Sequence, residues 1–133
     1  MQTHEMLGSH PESGGDVSDA LVRCIEACLG CAQICISCAD ACLAEDMVQE
    51  LRQCIRLDLD CADICAIGAC VLSRRTGSNE EVVRKLLEAC RAASSACAIE
   101  CRRHSARHEH CRLCAEACDA CGQACRRALA TVH

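Results

Sequence analysis

Eighteen cysteines stand in 133 residues, and most are spaced at alternating steps of three and four. Cys24, Cys28, Cys31, Cys35, Cys38 and Cys42 follow one rhythm, and Cys111, Cys114, Cys118, Cys121 and Cys125 repeat it. On an α-helix these steps place every thiol on one stripe, where a helical bundle ordinarily carries Leu, Ile or Val. A chain with this pattern is constrained to fold as helices that turn sulfur inward.

The length predicts one domain with a core of its own. That core contains no Phe, Tyr or Trp, so the side chains that usually supply much of the burial energy are missing. A net charge of −5 argues against nucleic acid or an anionic membrane as a partner. No apolar run is expected to reach the roughly 20 residues that span a bilayer. The opening stretch MQTHEMLGSHPESGGD has no basic and apolar leader and no twin arginine, which predicts a cytoplasmic protein. Cysteine abundance in small secreted proteins signals a disulfide scaffold, but such scaffolds are rich in loops. Thiols one helical turn apart have Cβ atoms about 5–6 Å apart, whereas a disulfide needs about 3.8 Å. Reduced thiols are expected.

Residues 1–16 read as a polar, flexible N-terminal tail and residues 17–133 as a four-helix bundle. The first helix is expected over about 17–44, capped by Asp16 or Ser18. Asp46 with Gln49 is the expected cap of the second helix, which carries Cys54, Cys61 and Cys65 and stops near Arg74, Arg75 and Gly77. Ser78 with Glu81 is the expected capping box of the third, which carries Cys90, Cys97 and Cys101. A turn over 105–110 leads into the fourth. Short links between four such helices predict an all-α, up-down-up-down bundle. The second helix is apolar on nearly every side, and the first adds a stripe of Ile25, Leu29, Ala32 and Ile36. This excess predicts a homo-oligomer.

Seventeen of the eighteen cysteines fit the inward stripe, and Cys70 alone falls off it. Cysteine packs as a small hydrophobe, but so many would leave a core under-filled at about 1 kcal/mol per missing methyl-sized volume. The interior is therefore expected to hold something that sulfur binds. Soft thiolates select Cu(I), Zn(II) or iron–sulfur clusters. Iron–sulfur runs wrap their cluster in loops. Four thiolates around each Zn²⁺ leave a net −2 charge, expensive when repeated down a dry core. Cu(I) takes two or three thiolates, and with bridging sulfurs roughly one ion per cysteine gives a neutral core.

One end of the bundle should gather Met47, His104, His108 and His110, a set of soft or borderline ligands through which metal would enter. His104 and His108 continue the cysteine stripe and are the stronger two, His110 the weaker; His4 and His10 read as tail residues. The opposite end gathers Leu21, Val71, Leu72, Val83, Leu86, Leu87 and Leu129 as an apolar plug. Asp58 lies on the inner stripe between Cys54 and Cys61. A buried carboxylate there must hydrogen-bond, protonate or meet metal. Ser94 fills the matching gap between Cys90 and Cys97 as a small polar filler.

These stripes, from Cys24–Cys42 through Cys54/Cys61/Cys65 and Cys90/Cys97/Cys101 to Cys111–Cys125, with the histidine-bearing end, resemble those of the bacterial copper storage proteins, cytosolic branch, over about residues 17–130. The resemblance implies a ferritin-like four-helix bundle, a tetramer, and many Cu(I) ions held on the cysteines. The resemblance implies that all eighteen cysteines are ligands, Cys70 included, although it lies off the stripe near the plugged end. Storage or detoxification of Cu(I) is the function it implies, with no enzymatic activity and with release to a copper-accepting protein or a small chelator. The alternatives are a Zn/Cd thiolate buffer, a copper chaperone, and a thiol oxidoreductase using C-x-x-C pairs such as Cys35/Cys38 or Cys118/Cys121. The last needs an exposed, low-pKa thiol at a helix N-terminus.

Overall fold

A computed structural model describes residues 2–132; Met1 and His133, assigned from sequence to the tail and the bundle, lie outside the described residues. Helix α1 spans Thr3–Gly8, α2 Asp19–Leu43, α3 Arg52–Leu72, α4 Glu80–His104 and α5 Glu109–Leu129, with a 3₁₀ turn at Val48–Leu51 before α3. Each long helix packs on two others, α2 on α3 and α5, α4 on α3 and α5. This is the square, antiparallel arrangement of the expected bundle.

The helix ends follow different local rules from those read in the sequence. Ser18 does cap α2, its side chain accepting a bond from the Leu21 N–H at 3.4 Å. Neither Asp46 nor Ser78 caps its helix. The chain enters α3 through the 3₁₀ turn, which buries Leu51, and Asn79 precedes α4 without a side-chain cap. α3 stops at Leu72, short of the arginine pair, and Gly77 at φ +68° makes the turn to α4, a conformation glycine adopts without steric cost. Packing of the long apolar faces sets these boundaries, because tertiary burial outweighs the contribution of one cap.

The N-terminal segment is more ordered than a polar tail requires. Leu7 of α1 is buried and joins the core cluster. His10 Nε2 lies 3.0 Å from Thr76 Oγ1, and the Gly77 N–H donates to Glu12 Oε2 at 3.4 Å. The segment therefore lies along the turn between α3 and α4, at the end opposite His104, His108 and His110.

The core itself is sulfur. Ile25, Leu51 and Leu87 are the largest fully buried apolar side chains, and cysteine fills almost everything between them. The apolar plug is present: Leu21, Leu72 and Leu87 are buried, and Val71, Val83, Leu86 and Leu129 partly so. A cleft of about 430 Å³ beside it is lined by Leu21, Val71, Leu72, Val83, Leu87 and Ala128. Of the expected second stripe on α2, Ile25 and Ala32 are buried within the chain, whereas Leu29 and Ile36 are exposed together with Leu43. Contrary to the expectation of no membrane-length run, α2 is long and apolar enough to span a bilayer, with a mean hydropathy of 1.6. Much of that value comes from its six cysteines, all buried against the other helices.

Candidate metal centre

Seventeen of the eighteen thiols are buried and free of disulfides; Cys70 alone is exposed. All four long helices feed one continuous column. At the plug end Cys24 lies 3.8 Å from Cys125, and Cys121 lies 3.8 Å from Cys28 and 3.7 Å from Cys65. In the middle Cys31 lies 3.8 Å from each of Cys35, Cys61 and Cys118, and Cys35 lies 3.7 Å from Cys114. Toward the other end Cys54 lies 3.6 Å from Cys101. These separations are far beyond the ~2.05 Å of a disulfide. They suit sulfurs that share a metal at bonds of about 2.3 Å.

The ligand atoms fall into overlapping groups, each within 4.8 Å: Cys31/Cys35/Cys61/Cys118, Cys35/Cys97/Cys114/Cys118 and Cys38/Cys42/Cys54/Cys111 are three of them. Because Cys35 and Cys118 belong to two groups, one sulfur can serve two metal positions, the bridging geometry that a crowded thiolate core needs.

Asp58 is fully buried in this column. Its Oδ1 accepts S–H bonds from Cys97 at 3.0 Å, Cys114 at 3.3 Å and Cys101 at 3.5 Å, and it completes two of the ligand groups. Burial, with the neighbouring Cys114, pushes its carboxyl up to about 7, since a low-dielectric surrounding disfavours the charged form. Ser94, opposite it in sequence terms, touches sulfur as well, 3.8 Å from both Cys61 and Cys65.

The histidines gather at one end, as expected, but their roles differ from the sequence reading. His110, the weakest of the three on spacing, is the one against the thiols. Its Nδ1 lies 3.4 Å from Cys38, 3.6 Å from Cys111 and 4.0 Å from Cys42. It sits off the three-four rhythm. The rhythm itself runs on through His104 and His108 to Cys111, but the helix stops at the α4–α5 turn, where helical phase no longer says which side chain faces inward. His108 is buried and stacks on His110 with ring centres 5.4 Å apart. His104 pairs with Glu100 at 2.9 Å, and Met47 stands exposed at the start of the 3₁₀ turn. The hydrogen bond from Cys111, then those from Cys38 and Cys54, hold the Cys42 thiol below its ordinary value, whereas bonding to Cys101 and Cys111 pushes Cys38 up.

Two carboxylates were not singled out from the sequence. Glu45 Oε2 lies 2.9 Å from both His108 Nδ1 and His110 Nε2, and the His110 hydrogen bond holds Glu45 below its ordinary value. Glu100 is buried between His104 and Arg103. An acidic residue in the turn facing two histidines was the available signal, but charged residues in turns are usually solvated. The Glu50–Arg107 pair at 3.8 Å ties the same two turns together.

Both C-x-x-C pairs considered for redox chemistry are buried in mid-helix with other cysteines, without the exposed N-terminal position that activates such thiols.

A family profile described as copper storage protein matches residues 17–130. The structure of the copper storage protein Ccsp from Streptomyces lividans, loaded with 10 copper equivalents, superposes with a TM-score of 0.94 at 51% identity, covering 98% of this chain and 99% of that one. A second structure, of copper loading to a cytosolic copper storage protein from Streptomyces lividans with five coppers, gives a TM-score of 0.85 at 55% identity over 86% and 96% of the two chains. Apo copper storage protein 3 from Bacillus subtilis is more distant, with a TM-score of 0.68 at 36% identity over 80% and 96%.

Proposed function

The chain belongs to the copper storage protein family, and we propose that it stores Cu(I) on the thiolates of its core, taking the metal in at the histidine-bearing end. One observation carries this reading. Seventeen buried sulfurs from four helices form one column, and neighbouring sulfurs stand close enough to bridge metal ions. A protein that handled a single ion would use two or three of them.

Charge favours Cu(I) over Zn²⁺ or Cd²⁺. Each bridging thiolate with one Cu(I) is neutral, so the column fills without burying net charge. Tetrathiolate sites for a divalent ion would each leave −2 in a dry interior. The ligands are the seventeen striped cysteines, with Asp58 contributing where it completes a group. His108, His110, His104 and Met47 would serve the end through which copper passes. Transport along the column proceeds by exchange, one sulfur leaving the ion as the next binds. His110 Nδ1 among Cys38, Cys42 and Cys111 supports this route, as the place where nitrogen and sulfur ligands meet.

The protein works as a sink and has no catalytic role. The description of a solved relative as cytosolic supports a cytoplasmic location. Exposed Leu29, Ile36 and Leu43 on α2 with Leu59 and Ile67 on α3 support a homo-oligomer, a tetramer by family resemblance. Copper would leave to an accepting protein or a small chelator.

The test is an anaerobic titration of the reduced apo protein with Cu(I) against a competing chelator. Saturation near one ion per buried thiol, with those thiols no longer reactive, is expected. Saturation at one or two ions, with most thiols still reactive, would overturn storage in favour of a chaperone.

A further inference from the structure

Glu45 has a single oxygen, Oε2, placed 2.9 Å from a ring nitrogen of each of two histidines. An ionised carboxylate accepts hydrogen bonds and donates none. Both nitrogens that face it, His108 Nδ1 and His110 Nε2, must therefore carry their protons. In a neutral imidazole the other nitrogen then holds the free lone pair.

For His110 that nitrogen is Nδ1, the atom within 3.4–4.0 Å of Cys38, Cys111 and Cys42. For His108 it is Nε2, which is buried and has no hydrogen-bond partner. An orphaned buried acceptor is costly in a folded protein and makes sense as a ligand held ready. The stacked rings, 26° from parallel, keep both lone pairs in one small region at the end of the sulfur column.

We propose that Glu45 is a positioning residue that sets the tautomers of His108 and His110, leaving His108 Nε2 and His110 Nδ1 bare to receive Cu(I). The inference rests on this end being where copper enters. A carboxylate behind a histidine is the arrangement that fixes ring orientation and raises ligand basicity at metal sites. Here one carboxylate does so for two rings at once.

The experiment compares Glu45→Met, which keeps length and removes the acceptor, with Glu45→Gln, whose carbonyl oxygen can still accept both N–H bonds. Nitrogen-15 NMR of the apo protein reads the tautomers, and stopped-flow mixing with Cu(I) reads uptake. Glu45→Met should shift at least one ring from its native tautomer and slow uptake about tenfold, the lower end of what loss of such a partner costs. Glu45→Gln should keep both the tautomers and the rate. Native tautomers in Glu45→Met would overturn the proposal. So would Glu45→Gln slowing as much as Glu45→Met with its tautomers intact, since that assigns the effect to charge. His108→Ala and His110→Ala are the control for the route: wild-type uptake in both would overturn the histidine end as the way in, while the tautomer assignment is still read independently by NMR.

Discussion

A Cβ atom added to Gly68 would lie 2.7 Å from Cys90 Sγ. Gly68 sits inside α3, where glycine is less favourable than alanine by about 0.5–1 kcal/mol, and its φ is not in the left-handed region. The close approach of sulfur is what the position requires. Gly68→Ala should displace Cys90, cost about 1–3 kcal/mol as overpacking does, and lower capacity by about one copper. Gly68→Ala/Cys90→Ala should recover the stability but not the copper. Equilibrium denaturation together with copper counting checks both; a Gly68→Ala protein with wild-type stability and capacity would show that the seat is not needed.

Asp58 makes the stability of the reduced apo protein depend on pH in an unusual direction. An exposed aspartate loses its proton near 3.8, but burial holds Asp58 up to about 7. Between these values the folded chain keeps a proton that the unfolded chain has released. Stability therefore falls as pH rises from about 4 to about 7, by at most on the order of 4 kcal/mol. Urea denaturation across that range should show the decline in wild type and a flatter profile in Asp58→Asn. Parallel profiles would mean that Asp58 is ionised in the fold.

The bundle was legible because a three-four rhythm has one structural meaning, and all seventeen striped cysteines are buried as that rhythm requires. Asp58 was legible for the same reason, being a stripe position. What periodicity could not assign lies where the helices stop. His110 sits just past a break in phase, and Glu45 is in a turn, so their meeting depends on how two turns are brought together by packing. The caps at Asp46 and Ser78 failed because short sequence signatures compete with burial of Leu51 and of the helix faces, and burial is the larger effect. The docking of residues 3–16 was hidden in a polar composition whose one decisive apolar side chain is Leu7.

Cys70 should be silent in copper storage. It is exposed and off the column, so Cys70→Ser should bind as much Cu(I) as wild type. Cys35→Ser or Cys118→Ser, at sulfurs shared between two ligand groups, should each lose about one ion or more. Equal losses from all three substitutions, counted by anaerobic titration, would contradict a column with Cys70 outside it.

The N-terminal segment should contribute stability without contributing capacity. Leu7 is 6% exposed and belongs to the core cluster, so Leu7→Ala removes apolar burial and leaves a cavity. Such changes cost about 2–5 kcal/mol in a closed core, and a value near 2 kcal/mol is expected here because α1 packs chiefly on α2 and can settle into the gap. His10→Ala removes an exposed hydrogen bond to Thr76 and should cost about 0.5 kcal/mol. Neither change removes a thiol, so copper per chain should stay at the wild-type value in both. Denaturation midpoints of the apo proteins measure the first effect and anaerobic Cu(I) titration the second. An unchanged midpoint for Leu7→Ala would mean that the segment lies on the bundle without holding to it, and a lowered capacity would mean that the plug end takes part in binding copper.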